Sequence, residues 1–572
     1  MHKKTVVDFK ELGQRLIFEN PLIELSAKSV KDVKTILQEV ENYQKQGYYV
    51  IGYVSYEAAK AFDEKFPVKS SPLSAEYLAY FTVHQEVKKE PFPCQSQKNI
   101  QLPKSWQSKT TKGDYEKAIA RIKEEIRQGN TYQVNYTLQL SSQLEEDALA
   151  LYNHLVIAQE AAYNCYIEHD DFAILSVSPE LFFLKKGNRI ITRPMKGTIT
   201  RGYRTKEDLQ NKIWLANDSK NRTENMMIVD LLRNDMGRIS EIGSVKVTKL
   251  CEVEQYSTVW QMTSTIESQL QSDKSLLDIF SALFPCGSIT GAPKIATMAI
   301  INQLEKQPRG VYCGTIGICL PNGDAIFNVG IRTIQKLGNQ AIYGAGGGIT
   351  WGSVCEDEYK EVCDKAAVLY RNQPDFDILT TARVSHKQVV DLDEHIKRLK
   401  ESARYFAYPF SKEEFLAKLS KQLEELDDAD YRLRILVKQT GAIQFQLAEL
   451  RELPENYLKA ELVHRSESID SPFTYFKTTY RPHLQSLSGE SIFISNKGYL
   501  QETTIGNLIL EIDGKWYTPS VDVGILDGIC RQKLIKEGRV FEAYLTKDDL
   551  KKASHIYACN SVRGVYEITL NK

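Results

Sequence analysis

The amino-acid sequence predicts a mixed protein, part α/β and part α+β, that folds as two large units. A chain of 572 residues is too long for one ordinary core. Helical and strand patterns alternate up to Tyr370, and the run Arg371-Asn372-Gln373-Pro374-Asp375 then breaks them. The residues beyond this break are enough for one further catalytic unit.

We therefore expect one domain at 1–370 and a second at 371–572. The first domain is expected to divide into an amino-terminal part at 1–110 and a core at 111–370. The second is expected to divide into a small subdomain at 375–460 and a large subdomain at 461–572.

Local patterns predict individual elements in chain order. Apolar residues at helical spacing predict a helix from Val30 to Tyr43, and a buried run predicts a strand from Tyr48 to Val54. A second helix spans Tyr115 to Gly129, where the glycine ends it. After the break, Phe376 to Val384 is typical of a strand and Leu392 to Leu399 of a helix.

Composition excludes several classes of partner. The formal net charge is -1, from 73 basic and 74 acidic residues, and there is no polybasic arm, so we expect neither nucleic acid nor an anionic membrane surface. Met1 to Asp8 lacks a signal-peptide core and no apolar run is long enough to span a bilayer, which favours a cytoplasmic location. Ten cysteines without a C-x-x-C pair argue against zinc and against a disulfide framework.

Lys196 is the first candidate for chemistry. It follows Pro194 and precedes Gly197, a context that predicts a strand end presenting an amine to a cavity. Sixteen residues earlier, Glu180 is a candidate proton donor. On these residues alone, an ordinary solvated loop lysine remains the alternative.

A group of carboxylates is the second candidate. Glu358 and Glu361 share a helix face, as do Asn221 and Glu224, so two helices can face each other across a magnesium ion. On spacing alone, acidic residues that stabilise a helix amino terminus are the favoured alternative. The run Gly344 to Gly348 also permits a dinucleotide loop, but the acidic helix after it would repel a pyrophosphate.

Several motifs occur in one order and together indicate a family. They are Ser178-Pro179-Glu180, 192–198, 216–238, 287–294, 330–333, 344–348 and 358–361. In order and spacing they closely resemble the chorismate-utilising enzymes, which include the large subunits of anthranilate synthase and aminodeoxychorismate synthase and the isochorismate and salicylate synthases. The resemblance is dense from Tyr115 to Tyr370 and implies the anthranilate synthase-like chorismate-binding fold, with large mixed β-sheets and surrounding helices.

The resemblance also implies roles for single residues. Metal-ligand positions match Glu224, Glu358 and Glu361, which implies Mg²⁺, whereas Asn221 stands where many relatives have a carboxylate and Gln261 where they often have histidine. The implied substrate-binding residues are Arg332, Tyr312, Lys365, Gln133, Thr198 and Ser288, with the backbone amides of Gly346 and Gly347.

Within this family the residue at the Lys196 position sorts the chemistry. Anthranilate synthases have alanine there, and the lysine resembles aminodeoxychorismate synthase, in which the amine attacks ring carbon 2 while Glu180 protonates the departing 4-hydroxyl. Ammonia then enters at carbon 4. Isochorismate and salicylate synthases use a lysine at the Gln133 position to activate water, so glutamine disfavours hydrolysis.

The carboxy-terminal part carries a second set of motifs. Tyr475 to Arg481, Gln501 to Asn507 and Gly524 to Arg531, with His395-x-x-Arg398-Leu399 upstream, resemble the fold-type IV pyridoxal phosphate enzymes. These include branched-chain and D-amino-acid aminotransferases and aminodeoxychorismate lyase. The resemblance implies that Lys477 holds the cofactor, that Glu502 faces its pyridine nitrogen and that its phosphate is bound by Arg398, the Ile529 and Cys530 amides and Ser561. Cys530 stands where relatives often have threonine.

The fusion implies a bifunctional enzyme that aminates chorismate and then eliminates pyruvate to give 4-aminobenzoate, a folate precursor. The alternative is an anthranilate synthase-type large subunit fused to a branched-chain or D-amino-acid aminotransferase. No cysteine lies in the G-x-C-x-G pattern of a glutaminase, so a separate glutamine amidotransferase subunit is expected to deliver ammonia. Lyase relatives are commonly dimers, which implies a homodimer through the lyase domain.

Overall fold

The computed structural model describes residues 3–69, 77–92, 102–103, 105–371, 374–465, 470–484 and 489–571. These residues form two compact units. Unit 1 comprises Met1–Thr200 and Lys212–Gln373, and unit 2 comprises Arg201–Asn211 and Pro374–Lys572. Residues 372–373 of the predicted break lie outside the described residues, and the domain bounds expected from the sequence stay predictions.

Unit 1 is rich in strands. Its strands are β1 (Lys4–Phe9), β2 (Arg15–Glu19), β3 (Ile23–Ala27), β4 (Tyr49–Val54), β5 (Ala79–His84), β6 (Lys88–Glu90), β7 (Gln107–Ser108), β8 (Gln133–Gln143), β9 (Tyr163–Glu168), β10 (Phe172–Ser178), β11 (Leu181–Lys186), β12 (Arg189–Arg193), β13 (Met195–Thr200), β14 (Lys246–Gln255), β15 (Val259–Gln269), β16 (Gly291–Ala292), β17 (Thr315–Cys319), β18 (Ala325–Val329), β19 (Thr333–Leu337) and β20 (Gln340–Ile349). Its helices are α1 (Val30–Lys45), α2 (Lys112–Arg127), α3 (Ala148–Gln159), part of α4 (Thr205–Asn217), α5 (Ser219–Gly237), α6 (Leu276–Leu283), α7 (Lys294–Leu304) and α8 (Cys355–Ala366).

Within the described residues, the strands of unit 1 form two sheets of ten strands each. Sheet A has the order β16-β8-β20-β19-β10-β9-β1-β2-β6, with β7 beside β8. Sheet B has the order β13-β15-β12-β11-β18-β17-β4-β5-β3, with β14 beside β15. This order brings β8 and β20, far apart in sequence, side by side with Gly348 opposite Asn135.

The alternation of side chains along each strand explains how the sheets and helices of unit 1 pack in layers. Val7 on β1 and Ile51 on β4 belong to one buried cluster that lies between the two sheets. Their neighbours belong to two other clusters. Val6 lies in a cluster with the apolar faces of α2 and α3. Val50 lies in a cluster with the apolar faces of α1, α5 and α6. Because successive strand residues point to opposite faces, each sheet packs on its partner with one face and on helices with the other.

Unit 2 contains the remaining elements. Its strands are β21 (Ile378–Ser385), β22 (Gln388–Val389), β23 (Tyr431–Val437), β24 (Ile443–Glu449), β25 (Lys459–His464), β26 (Glu490–Ile494), β27 (Leu500–Thr503), β28 (Asn507–Ile512), β29 (Lys515–Pro519), β30 (Val540–Ala543), β31 (His555–Asn560) and β32 (Gly564–Leu570). Its helices are α9 (Leu392–Phe406), α10 (Lys412–Glu424), α11 (Pro472–Tyr475), α12 (Ile529–Lys536) and α13 (Lys547–Lys552). Residues 205–211 of α4 also belong to it.

The strands of unit 2 form two further sheets, counted over the described residues. A sheet of four strands, β22-β21-β23-β24, packs against α9 and α10 through a core that includes Leu399 and Phe415. A sheet of eight has the order β27-β26-β25-β32-β31-β28-β29-β30 and mixes parallel with antiparallel pairs. Unit 2 therefore has a small and a large sheet, each with its own core.

The elements predicted from local patterns are confirmed. The first predicted helix is α1, the predicted strand after it is β4, and the helix ending before Gly129 is α2. This last helix begins three residues earlier than predicted because the Thr111 hydroxyl accepts a hydrogen bond from the Asp114 amide. Among the described residues no helix combines the length and apolarity needed to cross a bilayer.

Candidate active site

A strand almost free of side chains lies at the centre of the first candidate site. Residues 344–348, which we call the glycine strand, belong to β20 and pair along their length with β8. A paired strand is not the loop that a dinucleotide requires, so that alternative is wrong.

Close approach explains why this strand lacks side chains. A Cβ atom on Gly348 would lie 2.4 Å from Gln133 Nε2 and 3.1 Å from Lys196 Nζ. A Cβ atom on Gly344 would lie 2.2 Å from a ring carbon of Tyr312. Glycine therefore lets three predicted site residues, Gln133, Lys196 and Tyr312, lie directly against one strand.

Lys196 is the second residue of β13, which starts directly after Pro194. Its amine donates a hydrogen bond to the carbonyl oxygen of Ser288, at 2.9 Å. Burial lowers the pKa of Lys196, although the charges of Glu224 and Glu180 act in the opposite direction. A lowered pKa makes the neutral, nucleophilic amine more abundant near neutral pH.

Glu180 supplies a carboxyl group close to this amine. The residue is 3% exposed, and burial raises the pKa of Glu180 against a hydrogen bond from Ser288 and the charge of Lys196. Its Oε1 atom has no hydrogen-bond partner among the described residues. A buried carboxyl group with a raised pKa is suited to donate a proton.

Gln133 is the first residue of β8 and is fully buried. Neither its amide nitrogen nor its amide oxygen has a hydrogen-bond partner among the described residues. Leaving one buried polar group unpaired costs on the order of 1–3 kcal/mol, so two such atoms beside Lys196 point to a polar ligand there.

Two of the predicted metal ligands, Glu358 and Glu361, lie next to Gly347 in the glycine strand. A Cβ atom on Gly347 would be 3.5 Å from Glu358 Oε2 and 3.7 Å from Glu361 Oε1, while Glu224 lies on α5. The described part of the chain contains no group of three or more His, Cys, Asp or Glu side chains arranged to hold a metal ion. Each carboxylate instead has an ammonium neighbour: Lys220 lies 3.6 Å from Glu358 and 4.0 Å from Glu224, and Lys365 lies 2.6 Å from Glu361.

The chemistry of these donors nevertheless fits a magnesium ion. Burial raises the pKa of Glu358, with the Glu361 charge as a further cause, and burial also raises the pKa of Glu224. A divalent cation would relieve both effects, and oxygen ligands suit Mg²⁺. Lys220, to which no motif assigned a role, already places a positive charge there. Its i, i+4 spacing from Glu224 was the available sequence signal.

Asn221 lies on the same helix as Glu224, α5, and directs its amide nitrogen to another residue of the chain. Its Nδ2 donates to Asp218 Oδ2 at 2.8 Å, and its side chain packs against Gly197. Thr198 is exposed and donates to Gln261 Oε1 at 2.8 Å. The structure therefore pairs Thr198, a predicted substrate-binding residue, with the side chain of Gln261.

Two cations predicted to bind carboxylates lie together beside the glycine strand. Lys365 Nζ donates to the carbonyl oxygen of Gly346 at 2.7 Å. The Arg332 guanidinium donates to the carbonyl oxygen of Lys365, and Arg332 has a left-handed backbone with φ of 52°. The first site thus combines an amine, a carboxyl group, two buried amide atoms and a pair of cations around one strand.

The second candidate site is a cavity of about 230 Å³ in unit 2. Lys477, Arg398 and Ile529 line it, whereas Glu502, Cys530 and Ser561 are not among its described lining residues. Burial and the charges of Arg398 and Arg481 lower the pKa of Lys477 to about 7. The amine of Lys477 is therefore available as a nucleophile at neutral pH.

Glu502 lies buried behind this lysine on β27. Its Oε1 accepts a hydrogen bond from the Leu526 amide at 3.2 Å, and its Oε2 lies 3.5 Å from Arg481. Burial raises the pKa of Glu502, and Arg481 and Lys477 act in the opposite direction. Arg481 ends the motif Tyr475 to Arg481, but no residue pattern assigned it a role in advance.

The residues of unit 2 fit a pyridoxal phosphate. Gly528 allows α12 to begin against Asn507, since a Cβ atom on Gly528 would lie 2.1 Å from Asn507 Oδ1. The first amides of α12, at Ile529 and Cys530, and the nearby Arg398 form the expected donor set for a phosphate. Ser561 lies in the turn between β31 and β32.

Comparison with known families assigns both parts of the chain. Residues 3–371 match the model described as chorismate binding enzyme, and residues 377–570 match that described as amino-transferase class IV. Aminodeoxychorismate synthase component 1 of Bacillus subtilis is 41% identical over 261 residues, 46% of this chain and 56% of that protein. Its namesake from Escherichia coli is 40% identical over 269 residues, 47% of this chain and 59% of that protein. The chain thus spans less than two thirds of these curated relatives.

Solved structures agree on the fold of the larger part. Anthranilate synthase component I from Streptococcus pneumoniae has a TM-score of 0.56 at 25% identity, covering 64% of this chain and 92% of that one. A 2,3-dihydroxybenzoate-specific isochorismate synthase from Bacillus anthracis has a TM-score of 0.54 at 17% identity, covering 64% of this chain and 95% of that one. The expected fold class, an anthranilate synthase-like fold followed by an aminotransferase-like domain, is confirmed.

The substitution Gly348→Ala tests the close approach at the glycine strand. The new methyl group would meet Gln133 at 2.4 Å, and Gln133 has no solvent to move into. We expect catalysis at the first site to fall on the order of 100-fold because of the displaced groups, with an unchanged circular dichroism spectrum. Gly352→Ala is the matched control, since a Cβ there meets nothing within 4 Å, and equal losses in both variants would contradict this explanation.

The pH dependence of cofactor loading tests the environment of Lys477. Its pKa of about 7 means that the neutral amine predominates above pH 7 and declines tenfold per pH unit below it. The initial rate at which the apo-protein reacts with pyridoxal phosphate, followed by absorbance, should rise with pH up to about 7 and then level off. A rate that still rises tenfold per unit up to pH 10, or the same profile in Lys477→Ala, would show that Lys477 has an ordinary pKa or is not the reacting amine.

Proposed function

The chain belongs to the chorismate binding enzymes, and from this we propose that it makes 4-aminobenzoate, a folate precursor, from chorismate in two steps. In the first step ammonia replaces the hydroxyl group at ring carbon 4, giving 4-amino-4-deoxychorismate. In the second step that compound loses pyruvate and becomes aromatic. The observation that carries the proposal is the Lys196 amine, held beside Glu180 and Gln133, in one chain with a second reactive amine at Lys477.

The amination step uses Lys196 as a covalent nucleophile. Its neutral amine attacks ring carbon 2, both conjugated ring double bonds shift, and the hydroxyl leaves carbon 4 as water after taking a proton from Glu180. Ammonia then attacks carbon 4, both double bonds shift back and the Lys196 amine is expelled. The nitrogen added at carbon 4 returns a proton to Glu180. The lowered pKa of Lys196 and the raised pKa of Glu180 support these two roles.

Substrate binding uses the remaining groups of the first site. Arg332 and Lys365 bind a carboxylate of chorismate, assisted by the amides of Gly346 and Gly347 and by Tyr312. Glu224, Glu358 and Glu361 hold the magnesium ion, which supplies positive charge for the second carboxylate. Ser288 and Thr198 are the remaining substrate-binding residues, and Gln133 offers its amide to the substrate in place of a base that would activate water.

The lyase step uses the residues of unit 2. When bound, pyridoxal phosphate supplies an electron sink for cleavage of the bond between carbon 4 and its hydrogen. Lys477 accepts that proton, Glu502 keeps the pyridine nitrogen protonated, and Arg398, Ser561 and the amides of Ile529 and Cys530 bind the phosphate. Loss of the enolpyruvyl group, which takes up a proton to become pyruvate, leaves the aromatic ring.

We propose that a separate glutamine amidotransferase subunit delivers the ammonia. The relatives from Bacillus subtilis and Escherichia coli are each called component 1, and the sequence has no G-x-C-x-G motif, which supports a division of labour between two chains.

The nitrogen source is the direct test of the whole proposal. The full chain with magnesium and pyridoxal phosphate should convert chorismate and ammonium to 4-aminobenzoate and pyruvate, identified by chromatography and mass spectrometry. Glutamine should replace ammonium only after an amidotransferase subunit is added. Glutamine-dependent product from the pure chain, or anthranilate as the main aromatic product, would overturn the proposal in favour of another division of labour or of the anthranilate-type alternative.

Two lysine variants should each block one of the two proposed steps, and each serves as a control for the other. Lys196→Ala should abolish amination of chorismate, with little change in chorismate binding by calorimetry, yet still convert supplied 4-amino-4-deoxychorismate to 4-aminobenzoate. Lys477→Ala should accumulate 4-amino-4-deoxychorismate and lack the absorption band of the lysine-bound cofactor. Normal amination by the first variant, or pyruvate release by the second, would remove that lysine from its step.

A further inference from the structure

The short segment Arg201–Asn211 belongs to unit 2, although the chorismate binding family model includes its residues. Arg201 fixes it in place. The Arg201 guanidinium donates to Asp208 Oδ2 at 2.8 Å and to the Tyr405 carbonyl oxygen at 3.1 Å, and its Cζ lies 4.3 Å from the centre of the Tyr405 ring. The Arg201 side chain is only 3% exposed, so these contacts form a buried anchor.

Tyr405, which holds Arg201, also contacts the residue next to Lys477. The Tyr405 ring stacks on Phe476 with ring centres 4.3 Å apart, and Phe476 precedes Lys477 in the chain. Phe476 and Lys477 both line the cavity of unit 2. The segment is thus fixed to the same wall that carries the reactive amine.

Arg204, three residues after the anchor, lines the same cavity together with Thr205. Its Nη1 donates to Asp522 Oδ1 at 2.6 Å, and its Cζ lies 5.4 Å from the centre of the Tyr475 ring, another cavity residue. Its side chain is 42% exposed. Arg204 is therefore a half-exposed cation held by two contacts at the cavity wall.

The two carboxylates of the proposed substrate offer Arg204 a binding partner. The cofactor phosphate has its own donors in Arg398 and the first amides of α12, whereas 4-amino-4-deoxychorismate brings two more carboxylates into the cavity. A guanidinium has five donors in a planar fork, so a bond to Asp522 is compatible with a second bond to a carboxylate. Thr205 adds a hydroxyl group next to it.

We propose that Arg204 is a substrate-binding residue of the lyase site and that it binds a carboxylate of 4-amino-4-deoxychorismate. This inference rests on the proposed function. It makes the segment Arg201–Asn211, which lies within the chorismate family match, part of the specificity of the pyridoxal phosphate unit. Substrates without a carboxylate at that position lose this contact.

The test uses the full chain loaded with pyridoxal phosphate and supplied with 4-amino-4-deoxychorismate, with pyruvate measured by a coupled assay. Arg204→Gln should raise KM roughly 10- to 100-fold, the range for losing a hydrogen bond to a charged group, while kcat and cofactor affinity stay near wild type. Arg204→Lys should recover part of the loss because it keeps the charge without the fork. Arg539→Gln, a matched change of an arginine 57% exposed that does not line the described cavity, should have no effect.

The outcomes separate this inference from the proposed function. An unchanged KM in Arg204→Gln, with active wild type, would overturn the role of Arg204 alone. A loss of cofactor affinity equal to the rise in KM would also overturn it, since Arg204 would then bind the phosphate. Absence of pyruvate from the wild-type chain would instead refute the lyase function itself.

Discussion

The first active site depends on one constraint, which is the absence of side chains along the glycine strand. At Gly344 and Gly348 a Cβ atom would overlap Tyr312 and Gln133, so these positions must remain glycine for the surrounding groups to close on the backbone. Lys196 comes from the terminal strand of sheet B, and Gln133 and the glycine strand come from one end of sheet A. Face-to-face packing of the two sheets therefore brings an amine, an amide and bare backbone into one small space.

Burial then sets the reactivity of the groups assembled there. Removal from water lowers the pKa of Lys196 and raises the pKa of Glu180, so each moves toward the protonation state that its proposed role needs. Unit 2 uses the same principle, since burial beside Arg398 and Arg481 lowers the pKa of Lys477 to about 7. Two unrelated folds thus prepare a lysine in the same physical way, and opposing carboxylates limit the shift in both.

Much of this was predictable from sequence because the signals are local. Helix α1 and strand β4 follow from the spacing of apolar residues, and the motifs around Lys196 and Lys477 identify both families. Contacts between distant segments were not predictable. The pairing of Lys220 with Glu358 joins two helices, and the contact of Arg204 with Asp522 spans 318 positions, so no spacing rule connects either pair. The reason for the glycine strand also appeared only with the folded neighbours of Gly344 and Gly348.

The proposed amination depends on a covalent bond between Lys196 and the substrate ring, and mass spectrometry can detect this bond. The full chain is incubated with chorismate and magnesium in the absence of ammonium, quenched and digested. We predict that the peptide containing Lys196 gains the mass of chorismate less one water, and that ammonium added before the quench removes this adduct as 4-amino-4-deoxychorismate forms. An unmodified Lys196 in a preparation that aminates chorismate at full rate once ammonium is supplied would exclude a covalent role for this lysine.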